Sequence, residues 1–418
     1  MIARARQMLG MHGIRRVFAN RNYAIYASGN TLSLIGTWVQ RLGVGWLAWD
    51  LTHSGFWLGA VAFADLFPAL AVGLFGGVLA DRHERRTIML TGQWLSLTQA
   101  TALWLLTVTG VISIHMLFVL SLIMGTVTAG IQPARLAFVP SLVRQEDIGG
   151  AVAINAVIFN IARFVGPAIA GVIITSIGVG YAFGFNALTY LALIIALHAL
   201  RVPLGTDPGR RGASVLGDVW SGLEYAFTHT GVAPVLLLTT ASSLLVRPAF
   251  ELLPGFADAV FAAGPTGLAM LTSAIGLGAL AAGLWLAQRA SAAGFTAISF
   301  YAGVASAASV ALFTAASNIW VAACAMVVCG CSIAVLGVCT QTLIQTGVPA
   351  HMRGRVLSMW GVVVRGAPAL GALLMGWASD VTGLRIPLAV GGVLCFLAAL
   401  ALWRQRAGIA RLEAGQPS

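Results

Sequence analysis

Gly76 to Arg86, GGVLADRHERR, sets a knot of polar residues, Asp81 to Arg86, between two long apolar runs. Between Leu58 and Ala80 the only charged residue is Asp65, and from Thr87 to Gly110 there is none. A connection this short between two such runs has to turn at a membrane surface. Glycines at 76 and 77 let two helix ends approach closely, and Asp81 can accept hydrogen bonds from the N-terminus of a neighbouring helix. The arginines hold that end in the cytoplasm.

Composition agrees with that reading. The 418 residues are 59% hydrophobic and 9% charged, with mean hydropathy +0.90. The charged fraction of a soluble globule is about 25%, so this chain has too little polar surface to cover one. The net charge of +11 comes entirely from arginine, since there is no lysine. Those arginines are scattered through short loops rather than gathered in a basic domain, which excludes a nucleic-acid footprint and suits anionic lipid headgroups. Five cysteines, Cys324, Cys329, Cys331, Cys339 and Cys395, lie inside apolar runs. They lack zinc-like spacing and partner histidines, so no metal is expected. Without a phosphate-binding Gly-Lys loop, neither ATP-driven pumping nor enzymatic chemistry is expected, and no cofactor.

Working outward from the knot, apolar runs fall at about 23–49, 55–80, 87–109, 115–139, 149–176, 180–200, 232–257, 264–288, 295–314, 318–346, 355–380 and 385–404. Each is close to the roughly 20 residues a crossing helix needs, which predicts twelve transmembrane helices. The expected division is a basic arm (1–21), a six-helix bundle (22–200), a cytoplasmic linker (201–231), a second six-helix bundle (232–404) and a tail (405–418). Arginines occupy alternate connections: the arm, 81–86, Arg135 with Arg144, Arg201 with Arg210 and Arg211, Arg289, Arg353 with Arg355, and Arg404 with Arg406 and Arg411. The opposite connections carry Asp50, His53, His115, Asp258, Asn318, Asp380 and Arg385. Both termini are therefore expected in the cytoplasm. In the linker, Leu216, Val219, Trp220, Leu223 and Phe227 recur at helical spacing, suggesting an amphipathic helix on the inner leaflet; a flexible linker is the alternative. LADR at 79–82 and LAQR at 286–289, Asp50 and Asp258, and Arg41 and Arg247 recur at nearly one offset, half the chain length. Parallel six-helix repeats related by pseudo-twofold symmetry are the arrangement of transporters that bind substrate at the membrane midplane.

The pattern carried by Gly77, Leu79, Ala80, Asp81, Arg82, Arg85 and Arg86 resembles the signature loop between the second and third helices of the major facilitator superfamily. Residues 133–171, 247–258 and 353–376 resemble its bacterial branch of enterobactin exporters and macrolide-efflux relatives. Glu84 stands where that loop usually has glycine, and Gln288 replaces the acid in the second half. The resemblance implies alternating access without a cofactor in a bacterial inner membrane. Gly77, Asp81, Arg82, Arg85 and Arg86 would then act as a conformational latch; the alternative is that they only set topology and loop packing. Gly166, Pro167 and Gly171 partly match the fifth-helix motif of the superfamily's antiporters, which favours export. The mid-helix arginine of drug–proton antiporters has no counterpart in the fourth span.

Ionisable residues at membrane depth are costly and are kept mainly where they line a cavity or find a partner. Arg41, Asp65, Arg163, Arg247, Glu251 and Arg365 qualify. Glu251 and Asp65 are the proton-coupling candidates; Arg247 and Glu251, four apart, could instead form a static pair on one helix face. Arg163 and Arg365 precede the Gly166-Pro167 and Gly366/Pro368 elements and could hold an anionic substrate, or bond to backbone carbonyls. Trp38, Gln40, Asn30, Asn155, Asn160, Gln341, Gln345 and Trp360 offer aromatic and amide surface for a bulky amphipathic ligand. Trp46, Trp49 and Trp57 suit interfacial anchoring. The expected function is proton-coupled export of a siderophore-like or drug-like small molecule, with protons and membrane lipids as the other partners. A monomer is one expectation, the oligomeric state being open. The alternatives are proton-linked metabolite uptake and a transport-dead receptor or scaffold of the same fold.

Overall fold

A computed structural model describes residues 16–71, 84–201, 225, 229–289 and 291–414. The described chain is helical throughout: α1 (Arg21–Thr52), α2 (Gly55–Leu66, continued by the turn Pro68–Ala71), α3 (Arg85–Val108), α4 (Ile114–Ser141), α5 (Ile148–Ile177), α6 (Val179–Ala199), α7 (Val232–Leu245), α8 (Gly264–Ala287), α9 (Phe295–Ala315), α10 (Ile319–Gly347), α11 (Ala350–Thr382), α12 (Arg385–Trp403) and α13 (Arg406–Glu413). Among the described residues, nine helices, α4 to α12, are long and apolar enough to cross a membrane, α7 with the turn that follows it. The described parts of the first three expected spans are helical as well, α1 carrying Arg41 and Asp50 within it. The residues of the expected linker helix (Leu216, Val219, Trp220, Leu223 and Phe227), together with Gly77, Asp81 and Arg82 of the signature loop, lie outside the described residues.

Local chemistry sets the helix ends. Ser54, Ser113 and Asn318 cap α2, α4 and α10 by accepting hydrogen bonds from Trp57, Met116 and Trp320 amides, supplying acceptors to first-turn N–H groups that have none within the helix. Gly178 (φ 102°, ψ 159°) turns α5 into α6, and Gly383 (φ 82°, ψ 158°) turns α11 into α12. Only glycine enters that region of backbone space, so the same turn recurs in both halves.

Two expectations about element boundaries are corrected. The seventh span is not one helix: α7 ends at Leu245, a tight turn covers Arg247–Phe250, and a π-helical turn covers Phe256–Val260. Pro248 and Pro254 bring no N–H to a helical ladder, which accounts for the breaks. Arg247 and Glu251 therefore do not share an α-helical face. Arg135 is likewise no loop residue, because α4 continues to Ser141.

Contacts group the chain into two compact units, Met1–Val44 with Ala71–Arg210, and Gly45–Leu70 with Arg211–Ser418. In the first, α3 packs on α6 and α4, around a core that includes Tyr23, Tyr26, Phe138 and Leu197. In the second, α10 lies along α8 and α9, and α11 packs on both α2 and α7.

The α2–α11 seam is built from small residues. A methyl group on Gly59 would sit 2.8 Å from the Ala372 carbonyl carbon, and one on Gly376 would sit 3.0 Å from that of Gly55. Gly55/Gly59 and Ala372/Gly376 thus form facing small-xxx-small pairs that let the backbones touch. At the end of this seam Asp380 acts as a second cap for α2. Its carboxylate accepts hydrogen bonds from Ser54 Oγ (2.6 Å), Gly55 N (2.6 Å) and Phe56 N (3.3 Å), placing a negative charge on the positive end of the helix.

A similar device holds α13. Ile409 and Leu412 of α13 are buried, and Glu413 accepts from Gly294 N, Thr296 N (2.9 Å) and Thr296 Oγ1 (2.5 Å), at the start of α9. Burial alone would raise the Glu413 pKa. The hydrogen bonds from Thr296, Gly294 and Phe295 outweigh it and hold the carboxyl below its ordinary value.

Two outcomes follow. Asp380→Ala removes acceptors and charge together, which is worth about 1–2 kcal/mol at a helix N-terminus. Hydrogen–deuterium exchange at the amides of Gly55 to Trp57 should then quicken by about tenfold; unchanged protection would show that the carboxylate does not hold α2. Glu413 has a depressed folded pKa, so its contribution is present above the unfolded carboxylate value and lost as pH falls through the folded one. Glu413→Gln should lower the melting temperature by roughly 1–4 °C at neutral pH, and this gap should close on acidification.

Candidate functional site

The first unit brings three of the expected ligand-binding residues together. Trp38 and Arg41 come from α1, where positions three apart share a face, and Arg163 comes from α5. The Arg41 guanidinium carbon lies 5.7 Å from the Trp38 ring centroid and that of Arg163 lies 5.6 Å from it. Contact between α1 and α5 depends on Gly166: a methyl group there would be 2.5 Å from Trp38 Cβ and 3.2 Å from the Ile35 carbonyl oxygen. Pro167, Gly166 and Gly171 are all buried in α5. Phe159, one turn earlier, meets the Trp38 ring edge-on at 6.0 Å.

Two guanidiniums within cation–π range of one indole make a surface that is flat, aromatic and positive. Each such contact is worth about 0.5–2 kcal/mol, most where water is excluded. The arrangement is suited to a ligand that offers a carboxylate or phenolate together with an apolar or aromatic body.

Other candidates in this unit are engaged differently. Gln40 is buried; its amide donates to Gln99 Oε1 (3.0 Å) and accepts from Asn186 Nδ2 (2.8 Å), so it braces α1, α3 and α6 from within. Asn160 donates to the Ala156 carbonyl of its own helix (2.9 Å). Asn30, fully enclosed, donates to Asn155 Oδ1 (3.2 Å). Of the latch arginines, Arg86 donates to the carbonyls of Leu197 (2.9 Å) and His198 (3.1 Å). It closes the C-terminal end of α6 as a cation should. Arg85 is half-buried in the first turn of α3.

In the second unit, Arg247 Nη1 donates to the Val364 carbonyl (2.6 Å), tying the turn after α7 to α11. Glu251 is half-buried where that turn ends, and Asp65 is half-buried on α2. Trp360 Nε1 donates to Thr340 Oγ1 (3.1 Å), linking α11 to α10. Gln341 is half-buried, Gln345 and Arg365 are exposed, and Pro368 is buried inside α11. Trp49, expected as an interfacial anchor, is instead buried, and its Nε1 donates to Asp258 Oδ2 (2.9 Å) in the π-helical turn. Trp49, His53, Ser54 and Asp380 line one cleft of about 410 Å³. Sequence reasoning took Asp258 and Asp380 as loop markers. A signal for the seam was present in the four-residue spacing of Gly55 and Gly59.

Comparison with known proteins fits this arrangement. The chain is 26% identical over 375 residues to the staphyloferrin A transporter of Staphylococcus aureus, covering 88% of this chain and 92% of that one. It is 28% identical to the enterobactin exporter of Salmonella typhi, covering 78% of each, and 22% identical to macrolide efflux protein A of Streptococcus pyogenes, covering 90% and 94%. Among solved structures, a bacterial homologue of the iron transporter ferroportin superposes with TM-score 0.69 at 13% identity, covering 93% of this chain and 99% of that one. A peptide-bound POT family transporter gives 0.75 at 12%, covering 93% and 96%. These last two likenesses establish the fold. The model of the transmembrane secretion effector family matches residues 17–416. With a match that spans nearly the whole helical chain, this protein is a member of the transmembrane secretion effector family of the major facilitator superfamily, a multi-span membrane transporter and not an enzyme.

Proposed function

We propose that the protein is a proton-driven exporter of a bulky anionic small molecule, siderophore-like or drug-like, working by alternating access in a bacterial inner membrane with both termini in the cytoplasm. The observation that carries this reading is the Trp38 ring flanked by Arg41 and Arg163. A catecholate or hydroxycarboxylate ligand presents the anionic groups and the flat or apolar surface that such a triad favours. The relatives support the same class, since two of them are named for staphyloferrin A and enterobactin and a third for macrolides.

In this scheme Trp38, Arg41 and Arg163 hold the substrate, while Glu251 or Asp65 takes up a proton in one state and gives it up in the other. Arg247 and Trp360 position α11 through their bonds to Val364 and Thr340. The α2–α11 seam, closed by Asp380, is a contact that must part and re-form as access alternates, and the arginine-rich signature loop biases the opposite stage. Lipids supply the only other partner required, and a monomer is sufficient.

Everted membrane vesicles containing the protein provide the test. Energised vesicles should accumulate a labelled tricatecholate or hydroxycarboxylate siderophore, and collapse of the pH gradient should stop accumulation. Arg163→Gln should raise KM about tenfold, corresponding to roughly 1.4 kcal/mol of lost binding, with normal membrane insertion. Transport of neither compound would sink the substrate class. Transport indifferent to the gradient would sink the coupling, and net accumulation by intact cells would favour uptake.

A further inference from the structure

The first unit contains a second cationic centre that the transport scheme does not use. Arg135 lies on α4, six residues before the helix ends at Ser141, so its Cα is about 9 Å in from that end. Its guanidinium donates to Asn30 Oδ1 (2.9 Å). Asn30, 0% exposed, passes the connection on to Asn155. The ion pair of Arg16 with Asp147 lies elsewhere. The neighbours that the structure gives Arg135 are neutral: the Asn30 amide and the Tyr26 hydroxyl.

Beside Arg135 is a cavity of about 60 Å³ enclosed by α1, α3, α4 and α6, lined by Ser33, Gln93, Ser96, Gln132 and Arg135 among others. Among the described residues no carboxylate lines it. Gln93 is 6% exposed, and its Oε1 makes no hydrogen bond. The oxygen and nitrogen of a glutamine amide exchange by a half-turn of the last torsion, so this side chain can equally turn its NH₂ into the space. Ser33 and Ser96, also buried, add hydroxyl donors from α1 and α3.

The polar lining consists of one full positive charge (Arg135), five hydroxyls (Ser33, Thr37, Ser96, Thr128 and Tyr190) and two primary amides (Gln93 and Gln132). Arg135 is half-buried, and a cation at membrane depth that has no counter-charge among the described residues is costly, a cost its neutral contacts recover only in part. An unpartnered buried amide adds a further penalty of about 1–3 kcal/mol. Water can meet the amide but leaves the charge uncompensated. A space of this size, against about 10–15 Å³ per water on this measure, admits a small ion with a few waters and excludes a multi-ring substrate.

We propose that this cavity is a binding site for one small monovalent anion of the halide type, held by Arg135 with Ser33, Ser96 and the turned amide of Gln93. The bound anion neutralises Arg135 and joins α1, α3 and α4 into one rigid group. Transport chemistry plays no part in this assignment, and its test needs no substrate.

Bromide serves as the probe. Diffraction from the full-length protein in sodium bromide, collected at the bromine edge, should show an anomalous peak within hydrogen-bonding distance of the Arg135 guanidinium. The melting temperature should also rise with bromide or chloride when gluconate is replaced at constant ionic strength. Arg135→Gln should abolish that dependence. Should this variant fail to fold, Ser96→Val in a protein that does fold should weaken apparent anion affinity by about tenfold. A cavity showing water alone with no anomalous peak, a melting temperature indifferent to the anion, or an unchanged dependence in the folded variants would each overturn the proposal.

Discussion

Inside a bilayer an ionised or strongly polar side chain has only the protein, or something the protein binds, to replace water. That constraint orders the structure of this transporter. Gln40 is satisfied by Gln99 and Asn186 and thereby fastens three helices. Arg86 is satisfied by two carbonyls and closes α6. Asp380 is satisfied by the first amides of α2. Arg41 and Arg163 meet at the Trp38 ring, and Arg135 donates to the buried Asn30.

Close backbone approach is the complementary constraint. Helices in lipid gain no hydrophobic energy from meeting each other, so contact must come from shape. Gly59 against Ala372, Gly376 against Gly55 and Gly166 against Trp38 supply it. The first two pairs make a seam between elements more than 300 residues apart in the chain, to which Asp380 adds a polar fastening. A seam of small residues with one charge–dipole bond at its end can separate and re-form without unfolding either helix. An alternating mechanism requires contacts of that kind.

Much of this was legible in the chain, because a helix that crosses lipid has to announce itself by a long apolar run. The signature loop marks the superfamily through residue types at fixed spacing. The triad residues could be named from the sequence too, since a lone arginine within an apolar run is costly enough to be conspicuous. Their convergence on one ring could not, as it depends on how α1 crosses α5 at Gly166. Asp380 and Arg135 were misread for a related reason: charge near the end of an apolar run reads as loop, whereas a helix continuing a turn further converts it to a cap or a half-buried cation. Trp49 was taken for an anchor because indoles favour interfaces, and only the broken path of the chain around Pro248 and Pro254 brings Asp258 to its N–H. The small-residue spacing in α2 was visible but carries little information until a facing pair is known.

The central claim is that Trp38 and Arg163 act on the substrate as one surface. A double-mutant cycle of equilibrium binding on the purified protein, with Trp38→Ala, Arg163→Gln and both together against a tricatecholate ligand, tests it most directly. The expected result is that each single change weakens binding while the double change costs less than their sum, by at least about 0.5 kcal/mol. Strictly additive losses, or affinity unchanged in either single variant, would contradict it.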